Sequence, residues 1–253
     1  MSMYESDDPR SRLGSSGGSA GASSFGVATY ARFYDSKPQE TQPNAQTWYA
    51  RGQNFITAYS KAEMGARFER KGQVDEYVLL LNDKASSARV TANGEAKDIE
   101  GFSVTFIPPG DSVVEITGGG EIVRLLTTQS PDLTAKVSNS DKYVGEHPHV
   151  PDFKAWPAPV GGFKIRTYSL DVADTPGRFG KIWRCTTFMV NYLPTKGARD
   201  LNKLSPHHHD DFEQGSLALG GSYIHHLRWP WTAKLSDWRG DEHEECAAPP
   251  SVP

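Results

Sequence analysis

Pro206-His207-His208-His209-Asp210-Asp211-Phe212-Glu213-Gln214, closed by Gly220-Gly221, is the stretch on which the reading of this chain turns. Two histidines stand two residues apart, a carboxylate follows four residues on, and a glycine turn comes seven residues later. Successive side chains of a strand point to opposite faces, so a strand through His207 and His209 aims both imidazoles one way and His208 the other. Glu213, after a short bend, then starts the adjacent strand and aims its carboxylate at the same point. Two nitrogens and one oxygen suit a divalent transition metal (Mn, Fe, Co, Ni, Cu or Zn) better than Mg or Ca. A solvated loop that binds adventitious metal is the bland alternative for three adjacent histidines beside two aspartates.

Composition narrows the class. The chain has 253 residues, enough for one large or two modest domains. A net charge of -4 without a block of like charge argues against a nucleic-acid partner. No apolar run is long enough to cross a bilayer, and the N-terminus lacks a basic segment followed by an apolar one, so neither a membrane span nor a secretory signal is expected. Two cysteines, Cys185 and Cys246, make no disulfide framework, and a reducing cytoplasm is the default expectation.

Gly14 to Ser24 is a Gly/Ser/Ala run with too little apolar surface to offset the entropy of ordering it, so a flexible tail is expected to about residue 25. From Thr47 the texture changes to short apolar runs. Trp48 to Tyr59, Tyr77 to Leu81, Ala88 to Ala92, Ser103 to Ile107, Ser112 to Thr117 and Glu121 to Thr127 read as strands. Asn93-Gly94 is a hairpin signal because both residues tolerate positive φ. Pro148, Pro151, Pro157 and Pro159 punctuate a linker expected to pack across the first block through Phe153 and Trp156. Strand texture resumes in Phe163 to Leu170, Lys181 to Leu193, Phe212 to Leu219 and Ser222 to Trp229, while Gly240 to Glu245 reads as a solvated acidic loop.

The spacing His207-x-His209, three residues, Glu213, six residues, Gly220 resembles the first signature of the cupin superfamily. That resemblance implies an all-β fold of two tandem jelly-roll barrels. The expected organisation is a tail and lead-in over 1–40, an N-terminal barrel over 41–130, a proline-rich linker over 131–160 and a C-terminal barrel over 161–253. Asp75-Glu76-Tyr77 resembles the start of the strand that carries the cupin glutamate. The histidine places then fall on Arg70 and Gly72, which hold no metal in an ordinary site. Gly101 to Pro108-Pro109-Gly110 resembles the second signature, with Val113 at its histidine place, so the first barrel is expected to be metal-free and structural or dimer-forming. Nothing after Gly221 carries the second signature, and the second barrel reads as cut short.

His225 or His226, adjacent on an expected strand, is the candidate to substitute for the missing ligand, against the plainer reading of a packed histidine. His147 and His149 share the His-x-His spacing, but Pro148 between them points to a turn. Trp229 and Trp231 form a candidate hydrophobic wall over the second site, with core packing as the plainer alternative. No nucleophile elbow, phosphate loop or dinucleotide fingerprint occurs. Two classes remain. One is a transition-metal-dependent enzyme acting on a small organic substrate by dioxygenase, isomerase, lyase or decarboxylase chemistry. The other is a non-catalytic bicupin that binds a small molecule or is structural. A homodimer is the expected assembly.

Overall fold

Two periodicities separate the strands of this chain. Every residue of Tyr77–Leu81 and Ser103–Ile107 is buried, whereas Ser87–Ala92 alternates between buried and exposed. A strand covered on both faces reads as a continuous run, and one with a wet face alternates. A computed structural model describes residues 28–145, 150–175, 180–194, 197–204, 212–227 and 234–237, with 242–247 and 251–252 as backbone, and accounts for both patterns.

The elements in chain order are β1 (Ala31–Arg32), β2 (Glu40–Gln42), β3 (Ala45–Arg51), β4 (Phe55–Ala62), β5 (Arg67–Gln73), β6 (Tyr77–Leu81), β7 (Ser87–Ala92), β8 (Glu95–Glu100), β9 (Ser103–Ile107), β10 (Gly110–Gly118) and β11 (Gly120–Thr127). They are followed by α1 (Pro131–Thr134), β12 (Arg166–Ser169), β13 (Lys181–Arg184), β14 (Met189–Tyr192), β15 (Ser222–Leu227), β16 (Glu242–Ala247) and β17 (Ser251–Val252). The fold is all-β: among the described residues, helix is limited to the four-residue α1 and short 3-10 turns. No described helix is long and apolar enough to cross a membrane.

A seven-stranded antiparallel sheet, ordered β12-β9-β6-β11-β4-β3-β2, faces a four-stranded one, ordered β5-β10-β7-β8. Tyr49, Ile56, Leu79, Leu81, Ile122 and Leu126 of the first meet Phe68, Val90, Val114 and Ile116 of the second in one core. Leu133 and Val137, just past the end of β11, join the same core. The other face of the large sheet carries Trp48, Tyr59, Val78, Leu80, Phe106 and Val123. Phe33 from the early chain and Leu170, Cys185 and Val190 from the late chain bury it. That third layer is why β6 and β9 lack alternation. Asn93 and Gly94 take φ of 49° and 83° in the β7–β8 turn, the twist a two-residue hairpin requires.

The strands of the second block are distributed differently from two consecutive barrels. β12 pairs with β9 as an edge of the large sheet, and β13–β14 and β15–β16 are separate two-stranded ribbons. Phe212 to Leu219 forms no strand, only an isolated bridge at Ala218. The expected solvated loop around His243 is instead part of β16, whose backbone pairs with β15 in register His226↔His243. The long run Trp48 to Tyr59 is broken at Gly52-Gln53-Asn54 into β3 and β4. The tail, His147 and His149 fall outside the described residues. Trp156 of the linker donates its amide to the Thr186 carbonyl at 2.9 Å and lies under the Arg184 guanidinium.

Candidate functional site

The β3–β4 turn has two amides with no ladder partner, those of Gln53 and Asn54, and a buried donor needs an acceptor. The Glu213 carboxylate supplies both: its Oε1 accepts from Gln53 N at 2.6 Å and its Oε2 from Asn54 N at 2.9 Å. Gly52 makes room, since a side chain there would collide with the Glu213 carboxylate and the Phe55 ring. Arg51 stacks over the Tyr143 ring at 5.0 Å, and Tyr143 exchanges a hydrogen bond with Thr29 at 2.7 Å. Burial lifts the Tyr143 hydroxyl above its ordinary value; the Thr29 bond opposes this, the nearby Glu213 charge adds to it, and Arg51 opposes it. The Gln53 side-chain oxygen is buried and accepts no hydrogen bond.

Glu213 therefore docks in irregular chain against a turn of the large sheet, and not at the start of a strand inside a second barrel as expected. The unsatisfied amides of a glycine-opened turn draw the carboxylate there. His207, His209, Trp229 and Trp231 lie outside the described residues. His225 and His226 sit on β15, and His225 Nε2 meets the Ser216 hydroxyl at 2.9 Å. The four aligned positions of the first barrel do not share a pocket. Arg70 bonds Gln73 and Asp132, Gly72 lies near the end of β5 at φ 56°, and Val113 pairs with Glu69 and Thr91 in the four-stranded sheet. Glu76 neighbours Val78 on the outer face of the large sheet, bound to Arg166 and Thr186.

A second polar group, missed by the sequence reading, lies inside the sandwich where β11 approaches α1. Arg124 is 4% exposed, its guanidinium stacks 4.0 Å from the Phe68 ring, and its Nε and Nη2 have no hydrogen-bond partner. Tyr77, fully enclosed, exchanges a hydrogen bond with Ser112 at 2.9 Å. Tyr49 donates to Glu40, which also receives Lys136 Nζ at 2.9 Å. Burial raises the Tyr49 hydroxyl while Arg124 draws it down, and burial raises Tyr77 against the same cation. The signal available was one arginine in the apolar run Ile122 to Leu126.

Asp75 borders this group. Burial raises its carboxyl, against hydrogen bonds from Thr127 and Gln73 and the charge of Arg70. A carboxyl raised in the fold binds its proton more tightly in the native than in the unfolded chain. Its contribution is thus fully present below the unfolded pKa of about 4 and is lost as pH rises through the folded value. Urea midpoints followed upward from pH 4 should show this falling component in the wild type and lack it in Asp75→Asn. Equal pH slopes for the two proteins would refute the assignment.

No family model matches the sequence, and no curated protein matches it. Among solved structures the chain is similar to KdgF from Halomonas sp., at 13% identity and TM-score 0.36 over 42% of this chain and 98% of that one. It is similar to an RmlC-like cupin from Shewanella frigidimarina at 12% identity and TM-score 0.36, over 42% of this chain and 96% of that one. A salicylate 1,2-dioxygenase from Pseudaminobacter salicylatoxidans matches at 12% identity and TM-score 0.33 over 39% of this chain, which spans 30% of that protein.

Proposed function

We propose that this protein is a cupin-type, transition-metal-dependent enzyme acting on a small organic substrate, with His207, His209 and Glu213 as metal ligands. The observation that carries the reading is the built seat of Glu213. Two backbone amides orient the carboxylate, and the absence of a side chain at Gly52 gives it room. The buried Gln53 oxygen, on the same turn, is a further oxygen donor still without a partner. Carboxylate oxygen with imidazole nitrogen is a donor set that divalent first-row metals accept.

A metal bound there supplies Lewis acidity toward a substrate oxygen. The chain's own part is to orient Glu213 through Gln53 N and Asn54 N. Metal analysis of the purified full chain is expected to find about one transition metal per chain. His207→Ala with His209→Ala is expected to abolish it, and Glu213→Ala to lower affinity. A metal-free protein that takes up no added transition metal, or a double variant that retains it, would refute the assignment.

A further inference from the structure

We propose that Ser216 and His225 form a second reactive site, a nucleophile with its general base, that hydrolyses small reactive carboxylic esters. The proposal is independent of any metal at Glu213. The Ser216 hydroxyl lies 2.9 Å from His225 Nε2, within reach for proton transfer. With the ring proton on Nδ1, Nε2 accepts from the hydroxyl, the state in which an imidazole activates a serine. The chain bends at Gly220-Gly221, where Gly221 takes φ 81°, and β15 brings His225 back to Ser216.

Both members stand on anchored chain. Three residues before Ser216, Glu213 accepts the Gln53 and Asn54 amides. Gly215 abuts the Phe55 ring so closely that a side chain there would collide with it. After Ser216, Leu217 packs against the outer-face cluster and Ala218 is buried. His225 lies within β15, every residue of which is paired with β16. Such support removes the freedom that a loop nucleophile otherwise keeps, and fixed orientation is a large part of what a catalytic pair supplies.

Attack on an ester carbonyl creates an oxyanion that needs donors already in place. Among the described residues, the amides of Ser216 and Leu217 donate to no carbonyl. The amide that follows a nucleophile is the one such sites commonly use. Ser216 and His225 are half-buried, whereas Gln214, Gly215 and the run from Gly220 to Ser222 are exposed, so the pair sits at the surface and opens to solvent. An open site grips little of the acyl group, which suits a small acid on a good leaving group.

In the first step Ser216 Oγ adds to the carbonyl carbon as its proton passes to His225 Nε2. The bond to the leaving oxygen breaks, and His225 returns the proton to that oxygen. Water then adds to the acyl-serine while His225 takes its proton. The bond to Ser216 breaks, the acid leaves, and the hydroxyl is restored.

The test uses the full chain in the presence of a metal chelator, with p-nitrophenyl acetate as substrate and diethyl p-nitrophenyl phosphate as covalent probe. Saturable nitrophenolate release above the buffer rate is expected, with one phosphoryl adduct per chain on Ser216 by peptide mapping. Ser216→Ala should lose the adduct. His225→Gln, which can still hydrogen-bond Ser216, should slow hydrolysis by about 100-fold or more. No release above buffer, loss of release on chelation, or an adduct only on residues other than Ser216 would overturn the proposal. So would a folded His225→Gln protein that hydrolyses at the wild-type rate. If either variant fails to fold, the position of the adduct on the wild-type chain decides alone, since a serine that merely steadies His225 takes no label.

Discussion

Replacing Glu76 with alanine is expected to destabilise the protein by about 3–5 kcal/mol, the usual cost of removing one partner from a buried ion pair. Glu76 is fully buried; its Oε1 lies 2.6 Å from Arg166 Nη2, and its Oε2 accepts from both the amide and the hydroxyl of Thr186 at 2.9 Å. Its carbonyl also receives the Thr187 hydroxyl at 2.8 Å. One side chain just before β6 thereby fastens β12 and the turn between β13 and β14. Without it, Arg166 and the Thr186 amide lose their acceptor in the interior. Denaturant midpoints of Glu76→Ala, and of the same variant carrying Arg166→Met, measure the effect. The second change should restore part of the loss by removing the stranded charge. A loss below about 1 kcal/mol in the single variant, the level of an exposed pair, would show that the late chain does not dock here.

Phe106→Ala should cost about 3–5 kcal/mol, the range for a buried phenylalanine. Phe106 lies on the outer face of the large sheet, fully buried, with the Tyr168 ring 5.8 Å away and the Arg166 guanidinium 5.2 Å from its own ring. In an isolated two-sheet sandwich that face would be wet and the substitution nearly silent. Leu79→Ala, on the inner face, should cost about 2–5 kcal/mol whether or not a third layer exists. Comparing the two by chemical denaturation separates burial between the sheets from burial under the late chain. A small effect at Phe106 beside a large one at Leu79 would refute the third layer.

The first half of the fold was legible because its strands carry their own signals. Tyr77–Leu81 and Ser103–Ile107 agree with the sequence reading at both ends, and Asn93-Gly94 marked a true hairpin. β5 and β8 were missed because each carries one strong apolar anchor, Phe68 or Ile99, among charged residues facing water. In the second half, Phe212 to Leu219 has strand-like composition, yet its polar members find partners elsewhere. Glu213 is claimed by the turn at Gln53-Asn54, 159 or more positions away in sequence. Spacing revealed that Glu213 was special but not which surface it meets. Arg124 was overlooked for the opposite reason. An isolated arginine in a strand looks like a wet residue, and only its register with Ala58 and Tyr49 shows that it faces inward.

The cover over the outer face of the large sheet also sets a rule for self-association. That face holds Trp48, Leu80, Val104, Phe106 and Val123, a surface apolar enough to bind a second copy of the chain. Here Phe33, Leu170, Cys185 and Val190 occupy it first. A symmetric pair formed through this sheet would have to peel those residues away, breaking the Glu76 clasp in both copies, before any new contact could form. Such assembly would be slow, and it would be insensitive to protein concentration whenever peeling limits the rate. Pairing through any other surface would carry no such barrier, so association kinetics would tell the two routes apart.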